Sequence, residues 1–310
     1  MNLIAIEAQS ERAVIVPEAG CQCLSYRVGT LEIVAGPAGP ELFLEHPHRA
    51  GIPILFPWPG RIAGGRFEFK GREYLVPINE PARGHALHGF ACERAFRVVK
   101  RGPYYVSTIL DSAEHPDLAT RWPWPFVLEI DYEIGLGLRL RARIHNPGKS
   151  VMPFGFGAHP YFHVPMTSAG SRNAMLLQVA ASGRWPLDAG LIPIAPPQAL
   201  SGKYDLRVPR ALGMETYDDA FRLAPAADAS TPCARLIDPQ LKMAIEVRAD
   251  PEFGDFVVYA PGDNPVIALE PYTCAPDAFN LAARGVNSGS CELEPGDTFT
   301  AGFEIRIAAP

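Results

Sequence analysis

One glutamate in this sequence stands where a general base could work. Glu270 follows the apolar run Val266–Leu269, which predicts a buried strand, and precedes Pro271, which is expected to end that strand. Burial raises the pKa of a carboxyl group toward the range in which it accepts protons efficiently. The competing interpretation is a solvated glutamate at a strand end, the more usual setting for this residue type.

A histidine has the matching character of a general acid. His159 lies in the glycine-rich stretch Phe154–Phe162. Gly155 and Gly157 allow the backbone there to approach a ligand closely, and Pro160 restricts the chain just beyond the histidine. An unperturbed imidazole titrates near pH ~6.5, so it can give or take a proton. The alternative is a core histidine that donates to a main-chain carbonyl.

Two other polar groups interrupt apolar or glycine-rich sequence. Arg61 follows Pro57–Gly60, and His88 lies within His85–Gly89. A phosphate-binding loop, an H-E-x-x-H motif, a G-x-S-x-G elbow and cysteines in zinc spacing are all absent. The sequence therefore predicts no metal and no cofactor, although the histidines form three closely spaced pairs: His46/His48, His85/His88 and His159/His163.

The segments that must position these residues have the pattern of β-strands. Leu128–Ile134 and Leu138–Ile144 each alternate apolar and charged residues, and Gly135–Gly137 separates them. This period of two predicts an antiparallel hairpin with one apolar and one charged face. The charges are acidic on the first strand and basic on the second, which predicts exposed cross-strand ion pairs of small energetic value.

The same pattern recurs along the chain, with a turn signal about every ten residues. Long amphipathic helices between the strands are missing, so the fold class is predicted to be all-β, a sandwich or barrel, rather than βαβ. No flexible linker or internal repeat divides the chain, so residues 1–310 are expected to form one domain. Further strands are predicted at Ala13–Val16, Phe67–Phe69, Tyr74–Val76, Tyr104–Leu110, Met243–Val247, Phe256–Tyr259 and Phe299–Ile307.

Composition excludes several classes of protein. Proline and glycine contribute 32 and 28 of the 310 residues, too many for a helical bundle, because an internal proline costs ~3 kcal/mol of helix stability. A hydrophobic content of 47% is ample for a packed core, which excludes intrinsic disorder. The net charge of −6 and the lack of a basic patch argue against nucleic acid as a partner.

The sequence carries no signal for a membrane or an oxidising compartment. It has no run of about 18 apolar residues, and its N-terminal segment lacks the basic region of a signal peptide. A cytoplasmic location without membrane association is therefore expected. The six cysteines do not form a disulfide-scaffold pattern and are predicted to be buried, reduced thiols: Cys21, Cys23, Cys92, Cys233, Cys274 and Cys291.

Taken together and in order, the polar clusters resemble the aldose 1-epimerase (galactose mutarotase) family. The resemblance extends from about Gly51 to Phe303, and it implies a large antiparallel β-sandwich of the kind called a supersandwich, in agreement with the strand pattern. No single segment is specific, whereas the ordered set is: Pro57–Arg66, Phe67–Phe69, Pro77–Pro81, Leu87–Gly89, His159–Phe162, Tyr217–Phe221 and Leu269–Phe279.

The resemblance also implies roles for the polar residues. His159 aligns with the general acid of the family and Glu270 with its general base. Arg61, His88 and Asp218 align with residues that hold sugar hydroxyl groups. The implied partner is a small-molecule sugar, with no cofactor, and the protein is expected to be a monomer or homodimer.

The implied reaction interconverts the α and β anomers of a free hexose of the glucose or galactose type. A base removes the proton of the C1 hydroxyl and an acid protonates the ring oxygen. The ring opens, the C1–C2 bond rotates, and closure gives the other anomer. His159 and Glu270 are expected to face each other across a gap about one sugar ring wide. Trp58, Tyr161 and Phe279 are candidates to stack on the sugar. Ordinary core packing is the alternative for each of them and is favoured for Phe279.

The chain departs from the family pattern where substrate contacts are expected. Gly60 and His85 stand at positions where the family commonly has asparagine, and Asp219 directly follows Asp218. These features bear on which sugar is bound. Two other functions stay open: a non-catalytic carbohydrate-binding protein of the same fold, and a mutarotase of a charged sugar (a hexose 6-phosphate or a sulfonated hexose), whose anionic group would need arginines such as Arg66, Arg83 or Arg172. A glycosidase is disfavoured because it usually needs two facing carboxylates.

Overall fold

The architecture is a sandwich of antiparallel sheets, described here by a computed structural model for residues 2–37, 47–226, 230–262 and 264–310. Within these ranges the chain forms a nine-stranded sheet, a seven-stranded sheet, a four-stranded sheet and three two-stranded ribbons. Two short helices accompany them, α1 (Leu118–Arg121) and α2 (Ala278–Ala283). The predicted all-β supersandwich is confirmed.

The nine-stranded sheet contains the hairpin predicted from alternation. Leu128 lies opposite Ile144 in this hairpin, and Arg143 forms ion pairs with Glu129 and Asp131. Numbered along the chain, the strands of the described sheet lie in the spatial order β10 (Arg97–Arg101), β11 (Tyr105–Asp111), β12 (Val127–Glu133), β13 (Leu138–His145), β26 (Thr298–Ala308), β22 (Met243–Ala249), β21 (Ala234–Asp238), β17 (Leu176–Val179) and β19 (Arg210–Ala211).

The smaller sheets complete the sandwich, and they too are antiparallel within the described residues. The four-stranded sheet consists of β1 (Ile4–Ala8), β2 (Glu11–Val16), β3 (Gln22–Val28) and β4 (Leu31–Glu32). The ribbons pair β6 (Arg61–Ile62) with β9 (Ala86–Leu87), β7 (Arg66–Phe69) with β8 (Arg72–Leu75), and β14 (Met152–Phe154) with β25 (Cys291–Leu293).

The seven-stranded sheet places most of the candidate residues. Its described strands lie in the order β18 (Ala181–Arg184), β20 (Tyr217–Leu223), β23 (Asp255–Ala260), β24 (Val266–Tyr272), β15 (Gly157–Ala158) and β5 (Ile54–Leu55), with β16 (Tyr161–His163) also paired to β24. Side chains alternate along β24, so Ile267 and Leu269 enter the main core while Ala268, Glu270 and Tyr272 lie on the opposite face.

Strand β24 continues through Pro271, so the prediction that this proline ends the strand was wrong. Proline lacks the N–H needed for one main-chain bond of the ladder. The bonds on either side of it form, from the N–H of Leu269 to the carbonyl of Pro160 and from the N–H of Thr273 to that of Phe156. One missing hydrogen bond between two intact ones leaves the strand extended. Glu270 therefore lies within β24 rather than at its end.

The cysteines are free thiols, as predicted. Five are buried, and Cys291 is partly exposed. Burial raises the pKa of the Cys21 thiol, for example, to about 12, which keeps it protonated and unreactive. No helix among the described residues has the length and apolar character needed to span a lipid bilayer.

Candidate active site

The five candidate residues meet at one cavity of about 490 Å³. The cavity lies over the face of β24 that turns away from the main core. The ribbon formed by β6 and β9 and the loop around Glu80 form its other walls. The structure thus brings together residues that are far apart in the sequence: Arg61, His88, His159, Asp218 and Glu270.

His159 and Glu270 touch each other, so the expected gap of one sugar ring between them was wrong. His159 Nε2 lies 3.2 Å from Glu270 Oε1. The reason is the register of the sheet: Tyr161 pairs with Ala268, so His159 lies directly opposite Glu270 two positions along the ladder. Such cross-strand neighbours have side chains on one face and Cα atoms ~4.5–5.5 Å apart. A ligand must therefore lie over this pair rather than between its members.

Glu270 is enclosed, which rules out the alternative of a solvated strand-end glutamate. Its side chain is 1% exposed, and its Oε2 accepts a hydrogen bond of 2.6 Å from the Tyr272 hydroxyl. Burial raises the pKa of Glu270 well above its ordinary value, the Tyr272 hydrogen bond opposes that rise, and the nearby Asp218 adds to it. A raised pKa makes the carboxylate a stronger base, which suits it to take a proton from a sugar hydroxyl group.

His159 offers one ring nitrogen for proton transfer. The ring is 6% exposed and stacks on Tyr161, with 4.5 Å between the ring centroids and 20° between the planes. Its Nδ1 is buried and makes no hydrogen bond to the residues that the structure describes. Burial lowers the pKa of His159 to about 3, helped by the nearby His48 and Arg61. Nε2, which contacts Glu270, is therefore the nitrogen that can exchange a proton at the cavity.

The two groups titrate as one unit. Burial disfavours charge on either of them, raising the pKa of Glu270 and lowering that of His159. Between those two pKa values the pair holds a single exchangeable proton, which burial favours on Glu270 and which can move to His159 across their contact. A pair that holds one proton can give a proton at one atom while it takes one at another, and this is the requirement for concerted acid–base chemistry.

His88 is fixed as a neutral hydrogen-bond donor. Its backbone lies in the left-handed region, with φ of 62°, and the N–H of Gly60 donates to its Nδ1 at 3.1 Å. This bond places the ring proton on Nε2. Burial lowers the pKa of His88 well below its ordinary value, so the ring stays neutral. Gly60 itself has φ of 67°, and a Cβ there would meet Pro276 at 3.0 Å, which suits glycine at this position.

Arg61 is held by a bidentate ion pair. Its Nε and Nη2 donate to the carboxylate of Glu80 at 2.8 and 2.9 Å, and Arg83 donates to the same carboxylate at 2.8 Å. Burial lowers the pKa of Arg61, but the Glu80 hydrogen bonds outweigh it and the net direction is upward, so the guanidinium stays charged. The role of Glu80 was missed in the sequence, although the segment Pro77–Pro81 that contains it had been noted.

Asp218 and Asp219 both border the cavity but differ in their partners. They are neighbours on β20, so their side chains point to opposite faces of the sheet. The Asp219 carboxylate accepts hydrogen bonds from Arg184 at 2.7 and 3.0 Å. Asp218 pairs with Tyr259 of the neighbouring strand and lies on the same face of the sheet as Glu270. Burial raises the pKa of the Asp218 carboxyl group, although the nearby Arg61 acts in the opposite direction. Asp218 is the carboxylate placed to meet a ligand.

The aromatic candidates divide between the cavity and the core. Trp58 packs on Trp122 with 5.7 Å between centroids, and Phe279 packs on Phe67 with 4.9 Å. Neither Trp58 nor Phe279 borders the cavity. Trp58 was therefore a wrong candidate for stacking on a ligand, whereas the core packing favoured for Phe279 is confirmed. Their sequence positions lie beside the site motifs, but their side chains enter the aromatic core. Tyr161 does border the cavity, as predicted.

Several cavity residues carried no clear signal in the sequence. In the sequence, His48 stands out only as a possible metal ligand with His46, and His46 lies outside the described residues. The His48 ring lies 6.2 Å from that of His88. No group of three or more metal-ligating side chains is arranged to hold an ion in the part of the chain that the structure describes. The other residues missed are Arg49, Tyr259 and Tyr272.

A comparison with family models identifies the family of this chain. Residues 2–306 match the family model described as aldose 1-epimerase. The chain belongs to the aldose 1-epimerase family. This aldose 1-epimerase family member is 25% identical to the Escherichia coli K12 protein YihR over 227 residues, which are 73% of this chain and 71% of YihR.

Solved structures confirm the fold of this aldose 1-epimerase family member. A galactose mutarotase-like protein from Clostridium acetobutylicum superposes with a TM-score of 0.90, covering 99% of this chain and 95% of its own, at 22% identity. A galactose 1-epimerase from Lactobacillus acidophilus NCFM superposes with a TM-score of 0.78, covering 99% of this chain and 98% of its own, at 15% identity. At these identities the likeness establishes the supersandwich architecture.

Proposed function

We propose that the protein is a mutarotase that interconverts the α and β anomers of a free hexose. The observation that carries the proposal is the contact between His159 Nε2 and Glu270 Oε1 at 3.2 Å. The two oxygens that must exchange protons, the C1 hydroxyl and the ring oxygen, are both bonded to C1. An acid and a base that lie side by side, as these two groups do, can serve two oxygens on one carbon.

The reaction follows from the single proton of the pair. Glu270 Oε1 takes the proton of the C1 hydroxyl while His159 Nε2 gives its proton to the ring oxygen. The C1–O5 bond breaks, and C1 becomes the aldehyde carbon. After rotation about C1–C2, O5 attacks the other face of the aldehyde, its proton returns to His159, and Glu270 returns its proton to O1. Acid–base assistance of this kind contributes ~10²–10⁴-fold to a rate.

The remaining cavity residues would hold the ring in place. Arg61, fixed by Glu80, and the neutral donor His88 face the cavity as hydrogen-bond donors, and Asp218 faces it as an acceptor. A sugar hydroxyl can donate and accept at once, so it suits a cavity lined by both kinds of group. Holding the reacting atoms close to the acid and the base adds to the acceleration.

Polarimetry of freshly dissolved α-D-galactose and α-D-glucose tests this function. The proposal predicts a saturable acceleration of the approach to equilibrium, proportional to protein concentration and above the rate in buffer. Saturable sugar binding without acceleration, measured by calorimetry, would instead identify a carbohydrate-binding protein and overturn the proposal.

A charged hexose is the second candidate substrate, and the arginines at the cavity favour it. Arg83 borders the cavity, as that alternative requires, and so does Arg49. Arg66 instead pairs with Glu73 at 3.3 Å, and Arg172 donates to main-chain carbonyls. If the substrate is anionic, galactose 6-phosphate will compete with free galactose at far lower concentration than 1,6-anhydrogalactose will. The anhydro sugar is the uncharged control. Equal weak competition by both would exclude this candidate.

The enzyme should lose activity on the acid side at a much lower pH than the pKa of an ordinary histidine would predict. The pair is inactive when it holds two protons, because no base remains, and inactive when it holds none, because no acid remains. Since burial lowers the pKa of His159 to about 3, acid-side loss of kcat/KM is expected far below the ordinary value of ~6.5. Initial rates by polarimetry, corrected for buffer catalysis, would measure it. An acid-side midpoint near pH ~6.5 would contradict the account.

Loss of the Glu80 carboxylate should weaken sugar binding more than turnover. Glu80→Gln removes the charge that holds Arg61, which is then free to adopt other rotamers. We expect KM to rise roughly tenfold, the value of one charge-assisted hydrogen bond, with a smaller change in kcat. Glu73→Gln is the matched control, because Glu73 pairs with Arg66 on the surface, where both side chains are more than half exposed. Equal effects of the two substitutions would show that Glu80 does not position Arg61.

A further inference from the structure

We propose that Tyr272 is a positioning residue that shifts the single proton of the His159–Glu270 pair toward His159 and so favours Glu270 as the base. The inference rests on the proposed mutarotase function and adds to it the reason why the two roles are not exchanged. A pair that shares one proton could hold it on either partner. Burial favours the uncharged state, with the proton on Glu270, so Glu270 needs a group that stabilises its carboxylate if it is to act as the base.

Tyr272 contacts the carboxylate oxygen that His159 does not. The two residues stand two positions apart on β24, so their side chains lie on one face of the sheet. The Tyr272 hydroxyl donates to Glu270 Oε2 at 2.6 Å, while His159 Nε2 lies 3.2 Å from Oε1. Tyr272 and Glu270 are each 1% exposed, so bulk water does not compete for Oε2. Oε1 is thereby left as the oxygen that faces the acid and the reacting proton.

A glycine on the neighbouring strand makes room for the tyrosine ring. Gly157 is the partner of Tyr272 in the β15–β24 ladder, and a Cβ at position 157 would lie 2.7 Å from Tyr272 Cδ1. On its other sides the ring packs in an apolar cluster that includes Leu55, Trp185 and Val257. Packing therefore fixes the direction of the hydroxyl. This also gives a reason for the second glycine of the Phe154–Phe162 stretch.

The hydrogen bond from Tyr272 distinguishes the two places that the proton can occupy. With the proton on His159, Glu270 is a carboxylate and accepts a charge-assisted hydrogen bond, roughly twice as strong as a neutral one. With the proton on Glu270, the same hydroxyl donates to a neutral acid. The bond therefore favours the state in which His159 is the acid and Glu270 the base. The same hydrogen bond lowers the pKa of Glu270 and so opposes the larger rise that burial causes.

Tyr272→Phe tests the inference, because it removes the hydroxyl and keeps the ring over Gly157. We expect kcat to fall by roughly tenfold or more with KM nearly unchanged, and the alkaline limb of the pH profile to move upward. We also expect the infrared carbonyl band of the protonated Glu270 carboxyl group to persist to higher pH than in the wild type. That band must be absent from the Tyr272→Phe/Glu270→Gln double variant, which assigns it to Glu270.

Tyr132→Phe is the matched control. It also removes a buried tyrosine hydroxyl, which donates to the Cys21 carbonyl at 3.0 Å in the other large sheet. It should leave both the pH profile and the infrared spectrum unchanged. Tyr272→3-fluorotyrosine keeps the ring and makes the phenol a stronger donor, and it should move the alkaline limb downward. This second variant keeps the test valid if Tyr272→Phe does not fold.

The two readouts separate this inference from the proposed function. If the wild-type protein shows no mutarotation but Tyr272→Phe still raises the pH at which the Glu270 carboxylic acid ionises, the function is wrong and the role of Tyr272 stands. If folded Tyr272→Phe and the fluorotyrosine variant keep the wild-type infrared spectrum and pH profile, the inference is overturned. A fall in kcat without either spectral or pH change would likewise overturn it, since it would show only a structural effect.

Discussion

Glu270→Gln is expected to lower the kcat of anomer interconversion by ~10²–10⁴-fold. The amide has nearly the shape of the carboxyl group and can still accept the hydrogen bond from Tyr272, but it cannot take the proton of the C1 hydroxyl. Because the side chain is 1% exposed, a neutral amide should be tolerated in its place without loss of fold. Exchange of anomeric protons by NMR measures the rate directly.

The control for this substitution is Glu304→Gln. Glu304 is also largely enclosed, at 13% exposure, but it lies in the nine-stranded sheet and pairs with Arg306 at 2.7 Å. The control variant should keep the wild-type rate. Substantial activity in Glu270→Gln, with sugar binding intact, would mean that another group acts as the base.

His159→Gln is expected to cause a loss of similar size, ~10²–10⁴-fold in kcat. Glutamine can still donate a hydrogen bond toward Glu270 Oε1, which keeps the local packing, but an amide does not exchange a proton with the ring oxygen. Sugar affinity should change little, because the residues proposed to hold the hydroxyl groups are untouched. Calorimetric titration with galactose would measure the affinity, and polarimetry the rate.

His163→Gln is the matched control, since His163 lies on the neighbouring strand β16 and does not border the cavity. It should leave both rate and affinity unchanged. A His159→Gln variant that lost affinity but kept its kcat would show that His159 binds the sugar rather than protonating it.

The β-sheet architecture could be predicted from the sequence because alternation is a local property. The hairpin at Leu128–Ile144 formed with the expected apolar and charged faces, since a slip of one residue would turn the apolar side chains toward solvent. The end of β24 was wrongly predicted because a proline removes only one main-chain hydrogen bond. Whether the strand continues without that bond depends on its pairing with the neighbouring strands. The extent of β24 through Pro271 is therefore a tertiary property.

The composition of the site could be predicted more readily than its geometry. His159 and Glu270 stand out by their sequence context, but their 111-residue separation says nothing about the register that makes them cross-strand neighbours. Glu80 and Tyr272 escaped notice because each acts through a contact with one other residue, Arg61 or Glu270. Such contacts depend on two elements meeting in space, which no local pattern records.

The aromatic residues show that a residue close to the site in the sequence need not point into the cavity. Trp58 stands beside the site arginine in the sequence, yet its side chain points into the core against Trp122. Glycine and proline around it turn the chain between the two positions, so nearness in sequence does not give nearness in the cavity. The sequence position of Trp58 correctly indicated the loop next to the site. It did not indicate that the side chain points into the core.

The most direct test of the account is a double-mutant cycle on the side-by-side pair. Anomer exchange in galactose would be measured by NMR for wild type, Glu270→Gln, His159→Gln and the double variant. If the two residues act together as one acid–base pair, the double variant will be about as slow as either single variant, because removing one partner already disables the other. A double variant whose loss equals the product of the two single losses would show that His159 and Glu270 act independently, and would contradict the account.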